Sequence, residues 1–439
     1  METPKINQKL VFLKHLLAIL KLPYHFSLAL LGAFIFGLPS RKLMVIAVTG
    51  TKGKSSVVEL VGAILTEAGY KTAHSSTIHF KIGDSVERNL HKMTMPGRFF
   101  LQRFLRRAVS AGCTHAVIEM TSEGARQFRH KFISLDALIF TNLSPEHIES
   151  HGSYENYVAA KVSLARALER SRKKDKLLVV NRDDKEAKRF LDAFTTGRAL
   201  AYSRQETGNP GISSDGVSFD WKTSDVPGTE KTSDVPGTSD VLRIRSKLPG
   251  EFNLYNILAA ATFAHAAGVP VEKIKAGIER VRSIRGRAER VDAGQDFLAI
   301  VDYAHTPDSL EKLYQAFAGT YRICVLGNTG GGRDRWKRPV MAGIAERHCD
   351  EIILTNEDPY DEDPEGIIRE MAAGITHKQP TLILERRAAI REALQRASKE
   401  DAVLITGKGT DPYIMGPRGS KEPWDDATVA MEELKRLRG

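Results

Sequence analysis

Cysteine is scarce, with Cys113, Cys324 and Cys349 the three in 439 residues, and none is spaced as CxxC. An odd, scattered set argues against a disulfide framework or a cysteine zinc site and for a reducing compartment, with each thiol a small buried apolar side chain. Long apolar runs are lacking too. Residues 10–38 are rich in Leu, Phe, Ile and Ala, but Lys14, Lys21 and Pro23 interrupt them. The cleanest run, Phe26 to Leu38, falls short of the roughly 20 residues a spanning helix needs, and no small-residue cleavage site follows it. The expectation is one or two helices packed on the domain that follows. The alternative is a membrane-surface helix with Lys9, Lys14, Lys21, Arg41 and Lys42 near anionic headgroups. Zinc-finger spacing, an RNA-recognition signature and a long basic block are also missing, so nucleic acid is not the expected partner. The net charge of +10 is dispersed along the chain, which suits nucleotides, polycarboxylates or a phospholipid surface.

What is present is an ordinary globular composition, 42% hydrophobic and 27% charged, in a chain too long for one core. From Met44 short apolar strands alternate with helical stretches: LMVIAV, HAVIEM, LDALIFTNL and KLLVVN, then FLAIVDY, RICVLGN, EIILTNE and DAVLITG. Regular alternation predicts an α/β protein with mainly parallel sheets. Two series separated by the helical stretch Asn253 to Val281 predict a hydrophobic N-terminal segment over 1–43, a central domain over 44–284 and a C-terminal domain over 285–439. The octapeptide KTSDVPGT occurs twice, at 222–229 and 231–238, and reads as a duplicated surface loop.

The sharpest motif is AVTGTKGKSSVVEL, Ala47 to Leu60. A strand leads into Gly50-Thr51-Lys52-Gly53-Lys54-Ser55-Ser56, and helical periodicity follows. Glycines let backbone N–H groups approach phosphate oxygens, the helix N-terminus adds partial positive charge, Lys54 can reach outer phosphates and Ser55 can ligate magnesium. The glycine that the strict phosphate-loop template requires five residues before the Gly-Lys pair is missing, and Val48 stands there.

That shortened loop resembles the Mur ligase superfamily, which includes folylpolyglutamate synthases. Further motifs fall in the family's order. VIEMTSEG (Val117–Gly124) resembles the strand end that carries a magnesium-binding glutamate, here Glu119. TNLSPEHIESHGSYENYVAAK (Thr141–Lys161) resembles the stretch that ends in a carbamylated lysine. GEFNLYNILAA (Gly250–Ala260) resembles the adenine-contacting asparagine motif, and VDYAHTPDSLE and GGGRDRWKRPVM resemble the opening of the ligase domain. The wording is most similar to the MurE-type branch, which adds the third residue of the peptidoglycan stem peptide.

The resemblance implies a P-loop central ATPase domain, a Rossmann-like C-terminal domain, ATP and magnesium. ATP phosphorylates a carboxylate, and an amine attacks the acyl phosphate. Bringing like charges together demands cations. By resemblance the catalytic and metal groups are Lys54, Ser55, Glu119, His147 and Lys161, with Lys161 expected as N6-carboxylysine. Gly50 to Ser56, Asn256, Asp302, Arg335 and Lys337 would hold the nucleotide; Asn253 reads as a helix-capping neighbour and His305 as a turn histidine. Thr94, Thr121, Ser122, Asp358, Tyr360, Lys408 and Asp411 would face the substrates.

Three departures bear on those substrates. Only 43 residues precede the first strand, where the family carries a uridine-binding domain, so a lipid-linked acceptor or a partner protein supplying sugar binding enters consideration. The family's paired threonines appear as Thr94-Met95. The diaminopimelate-clamping Asp-Asn-Pro-Arg appears as Glu357-Asp358-Pro359-Tyr360, and a tyrosine cannot form a bidentate ion pair. The expected activity is a cytoplasmic ligase joining an amino acid to a peptidyl carboxylate, peripheral at the inner membrane face if the N-terminal helix binds lipid. The alternatives are a folylpolyglutamate-synthase-type glutamate ligase and a membrane-associated nucleotide binder without catalysis.

Overall fold

The structure, a computed structural model, describes residues 23–146, 148–222, 241–332 and 334–438, without the side chains of Ile148 and Glu149. The expectations for His147, for the KTSDVPGT repeat beyond Lys222 and for the segment before Pro23 lie outside the described residues. The chain forms two compact units that are discontinuous in sequence. One takes the residues up to Lys54 with Gly69–Glu87 and Met93–Ala201; the other takes Ser55–Ala68, Arg88–Lys92 and the chain from Tyr202 onward.

The first unit is built on an eight-stranded sheet: β1 (Met44–Thr49), β2 (Thr72–Ser75), β3 (His79–Ile82), β4 (Ser85–Arg88), β5 (His115–Glu119), β6 (Ala137–Phe140), β7 (Leu177–Asn181) and β8 (Arg198–Tyr202). Its order is β4-β3-β2-β5-β1-β6-β7-β8. The pairs β2–β5, β5–β1, β1–β6 and β6–β7 are parallel. Of these, β1, β5, β6 and β7 are mainly apolar runs buried along nearly their whole length, as a sheet covered on both faces requires. Helices Arg98–Ser110 and Tyr154–Glu169 contribute Leu101, Phe104, Leu105, Tyr157, Val158 and Leu168 to the core around the sheet. Residues 23–35 form a helix that buries Ala29 and Ala33. Among the described residues no helix is long and apolar enough to cross a membrane.

The second unit holds a three-stranded antiparallel sheet, β9 (Thr207–Ser213), β10 (Gly216–Lys222) and β11 (Val241–Ser246). Two helices follow, Glu251–Ala266 and Val271–Arg280, separated where Gly268 and Pro270 end the predicted single helical stretch. Glycine at 277 lets the second approach helix Lys54–Glu67, since a Cβ there would lie 2.5 Å from the Cα of Ile64. A six-stranded sheet follows: β12 (Glu289–Val291), β13 (Leu298–Asp302), β14 (Arg322–Leu326), β15 (Glu351–Leu354), β16 (Thr381–Leu382) and β17 (Ala402–Thr406), in the order β12-β13-β17-β14-β15-β16. Every pair but β12–β13 is parallel. Two-stranded β18 (Tyr413–Met415) and β19 (Lys421–Pro423) and a final helix, Asp426–Arg438, complete it. Arg386 and Asp426 form an ion pair in its interior, at 2.7 Å and almost fully buried.

The cysteines correct one expectation. Cys324 and Cys349 are joined as a disulfide, Cα atoms 6.0 Å apart, and Cys113 is free and buried. Cys324 lies in β14 and Cys349 ends helix Lys337–His348, so the crossover from β14 through that helix to β15 brings them together. Sequence spacing carries no trace of that meeting.

Candidate active site

In the first unit β1 ends at Thr49 and the chain turns through Gly50–Gly53 into the helix starting at Lys54. Gly50 has φ +148°, and a Cβ there would collide with the Thr141 hydroxyl. The loop is pinned from β6 and the segment after it. Thr141 Oγ1 donates to the Lys52 carbonyl at 2.7 Å, Asn142 Oδ1 accepts from Lys52 N at 3.0 Å, and Thr51 N donates to the Asn142 carbonyl at 2.7 Å. The strict template's extra glycine is thereby dispensable: Val48 stays in the strand, and Thr141 and Asn142 shape the turn.

Helix Tyr154–Glu169 supplies a second clamp. Ser153 caps it by accepting from Asn156 N, and Tyr157 and Lys161 sit one turn apart on the same face. Tyr157 shares a hydrogen bond with Thr51 Oγ1 at 2.8 Å. Lys161 Nζ donates to the Gly50 carbonyl at 2.6 Å and lies 5.0 Å over the Tyr157 ring. Burial, helped by the positive charge of Lys54, pushes the Lys161 amine well below the ordinary lysine range. Burial thus favours the neutral amine, which is a nucleophile as an ammonium is not.

Lys54 Nζ donates to the Thr51 carbonyl at 2.8 Å and stands 3.8 Å from Glu119 Oε1. Glu119, 2% exposed, ends β5. Thr77 holds it from the neighbouring β2–β3 turn, its backbone N donating at 2.9 Å and its hydroxyl at 3.1 Å. The same hydroxyl meets Thr94 Oγ1 at 2.8 Å. Thr77 thus sets its hydroxyl between Glu119 and Thr94. Lys52 pairs with Glu146 at 3.1 Å. Thr121 caps the short helix Ser122–Arg126 by accepting from Gly124 N, and buried Ser122 shares a hydrogen bond with His151 Nε2 at 3.1 Å. A buried carboxylate beside a loop lysine, with hard oxygen donors around it, fits magnesium-bound phosphate chemistry; in this unit Glu119 would hold the ion.

In the second unit Ser55 Oγ accepts from Arg287 at 3.3 Å, and the Arg287 guanidinium lies 4.9 Å over the Tyr303 ring. Asp302 ends β13 and accepts from Ala288 N at 2.6 Å. His305 shares a hydrogen bond with the Tyr303 carbonyl at 2.7 Å, and Thr306 with Ser309 forms a capping box for helix Pro307–Ala316. Much of the AHTPDSLE motif is therefore a helix start. Asn256 Nδ2 donates to Asn253 Oδ1 at 3.0 Å, and Asn253 Nδ2 donates to the Pro249 carbonyl at 2.8 Å. Arg335 is exposed and pairs with Glu370; Lys337 is buried, 3.8 Å from Asp334; Arg338 is fully buried between Glu362 and Glu370.

Beyond the ends of β15 and β17 lies a charge cluster. Asp358 accepts from Lys408 Nζ at 2.8 Å, from Lys92 Nζ at 2.7 Å and from Met415 N at 2.8 Å. Asp411 meets Lys408 at 3.1 Å and Lys92 at 3.2 Å. Burial alone would raise the Asp358 carboxyl, but Lys408 and Lys92 hold it below the ordinary range. Burial and the charge of Asp358 raise Glu357. Among the described residues, buried Glu357 Oε2 and Asp411 Oδ1 have no hydrogen-bond partner. Tyr360, with φ +53°, lies under Lys92 at 5.8 Å. Gly407, at φ +106°, is required because a side chain there would strike Glu357. Thr77, Asn142, Tyr157, Arg287, Lys92 and Glu357 join these clusters without having been singled out in the sequence. Only Tyr157, one helical turn before Lys161, carried a local signal.

A glycine loop between parallel strand and helix, a lysine and a buried glutamate at its mouth, and a second parallel sheet with acid–lysine groups past its strand ends define an ATP-dependent ligase. The chain belongs to the Mur ligase family: residues 48–264 match the Mur ligase middle domain and residues 286–409 the glutamate ligase domain. It is 36% identical over 419 residues to a UDP-N-acetylmuramoyl-L-alanyl-D-glutamate–2,6-diaminopimelate ligase of Syntrophomonas wolfei, covering 93% of this chain and 82% of that protein. It is 37% identical over 431 residues to a UDP-N-acetylmuramyl-tripeptide synthetase of a Roseiflexus species, covering 94% and 82%. A solved structure of a UDP-N-acetylmuramoyl-L-alanyl-D-glutamate–2,6-diaminopimelate ligase superposes with a TM-score of 0.62 at 27% identity, covering 90% of this chain and 79% of that one. A folylpolyglutamate synthase from Mycobacterium tuberculosis superposes with a TM-score of 0.70 over 94% and 95% of the two chains, but at 17% identity this likeness is one of fold.

Proposed function

We propose that the protein uses ATP to join an amino acid to the carboxylate of a muramoyl peptide, through an acyl phosphate, in peptidoglycan precursor synthesis. The observation that carries this is the phosphate loop with Lys54 beside Glu119, clamped from one helix by Tyr157 and Lys161. The relatives' names supply the reaction class, and we adopt a division into a central domain over 44–284 and a C-terminal domain over 285–439.

Magnesium, when bound, would neutralise phosphate charge as the acyl phosphate forms. Ser55, Glu119, His147 and Lys161 are its proposed holders. Lys54 meets the outer phosphates, and the Gly50–Ser56 turn orients them. Lys161 is proposed to add carbon dioxide at its neutral amine, forming an N–C bond and releasing one proton, which turns the neutral amine into a carbamate anion. Asn256 and Asp302 are assigned to adenine and ribose, with Lys337 and Arg335 near phosphate. Thr94, Thr121 and Ser122 are assigned to the acceptor.

Asp358, Tyr360, Lys408 and Asp411 are assigned to the incoming amino acid. The unpartnered oxygens of Glu357 and Asp411 suit an amino group, and Tyr360 offers no clamp for a distal carboxylate. We therefore favour lysine or a neutral amino acid over diaminopimelate. The enzyme is placed in the cytoplasm, where ATP is available, with peripheral contact at the inner membrane face. Lys54→Ala should lower ADP formation roughly a hundred- to a thousandfold by removing the positive partner of the phosphates. Undiminished turnover in that variant would remove the loop from the reaction.

A further inference from the structure

The helix over 23–35 has two unlike sides. One is small and seated: Ala29 and Ala33 are buried, Gly32 approaches Phe99, and Phe26 packs edge-on against Phe128 and Phe132. The other carries Tyr24, Leu31, Phe34 and Ile35, between 51% and 66% exposed, at spacings that repeat with the helical turn. Surface helices normally turn charge toward water. Here residues 23–40 contain no Asp, Glu, Lys or Arg.

The surroundings are basic. Past the helix Arg41 and Lys42 are exposed, and with Lys173 and Lys174 they line a groove of about 420 Å³ whose acids are Asp136 and Asp175. Asp136 is already engaged by Lys173 at 3.0 Å. Lys131 reaches over Phe128, the ring that touches Phe26, and feels the charge of Arg170. From Thr3 to Val58 the chain has no acidic residue at all. A protein partner would ordinarily be met by polar groups that fix its register, and the stripe offers only the hydroxyls of Tyr24 and Ser27.

We propose that the Tyr24–Ile35 face docks into the interface of an anionic lipid bilayer, its apolar side chains among the acyl chains and its basic rim against the headgroups. This names the surface for the membrane contact and does not depend on ligase activity.

The test is flotation of the full-length chain with vesicles of phosphatidylcholine, alone or mixed with phosphatidylglycerol. The wild-type protein should float with the mixed vesicles and far less with the neutral ones. Leu31→Glu/Phe34→Glu should weaken binding at least roughly tenfold, and Arg41→Glu/Lys42→Glu should remove the preference for anionic lipid. Both variants should keep the wild-type melting temperature and ADP formation on soluble substrates, because the changed side chains are exposed. Failure of the wild type to float, or flotation of the Leu31→Glu/Phe34→Glu variant equal to wild type, would overturn the proposal. Self-association of the free protein that this variant abolishes would also overturn it, assigning the face to a second copy of the chain.

Discussion

Lys161 Nζ lies 2.6 Å from the carbonyl oxygen of Gly50, so a buried amine from a helix donates into the first residue of the phosphate loop. The contact fixes loop shape. It also keeps beside the loop a group whose burial favours the neutral form.

The carbamate reading follows from that burial. Lys161→Ala should be nearly inactive and partly rescued by short carboxylates, and carbon-13 bicarbonate should give a carbamate resonance in the wild type alone. The pH sign is separate. The folded amine titrates below the unfolded one, so the unfolded state binds more protons between the two values. In protein freed of carbon dioxide and bicarbonate, where Lys161 is an amine, stability of the wild type relative to Lys161→Met should therefore rise with pH across that window. A pH-independent difference between them would mean that the folded amine is an ordinary ammonium.

Thr77 is a positioning residue for Glu119. Thr77→Val keeps the backbone N–H bond but removes the hydroxyl that reaches both Glu119 and Thr94. A hydrogen bond to a charged group is worth about 1.5–3 kcal/mol, so half-saturation by magnesium should rise roughly tenfold or more, with melting little changed. An unaltered magnesium dependence would leave Thr77 a purely structural contact.

The eight strands legible in sequence, β1, β5, β6, β7, β13, β14, β15 and β17, all lie in the interior of the two large sheets, whereas β2 and β3, also interior, are short and carry His74, Ser75, His79 and Lys81. Burial on both faces makes the eight mainly apolar runs. β4 and β9 are mostly exposed and carry charge, glycine or proline, so no such run marks them. The loop, Glu119 and Lys161 were readable because motif order carried them. Thr77 lies 42 residues from Glu119, and Lys92 lies 266 from Asp358. Such partners are brought together by chain crossings that no local pattern records. The disulfide between Cys324 and Cys349 was hidden for the same reason.

Tyr360 sets the amino-acid prediction. With no arginine there, lysine or a neutral amino acid should be used with a KM no higher than that for diaminopimelate. Tyr360→Arg should lower the diaminopimelate KM roughly tenfold or more, the worth of a charge-assisted pair. A strong diaminopimelate preference in the wild type would point to Lys92, which lies over the Tyr360 ring, as the cation that takes the distal carboxylate.

The central claim is amide formation driven by ATP, and ADP release tests it most directly. The purified full-length protein is offered ATP, magnesium and a matrix of amino acids against UDP-linked and lipid-linked muramoyl dipeptides, with a folate and glutamate pair alongside. ADP release should appear only when a muramoyl acceptor and an amino acid are both present, with one tripeptide formed per ADP. Release supported by folate and glutamate instead, or by neither pair, would contradict that claim.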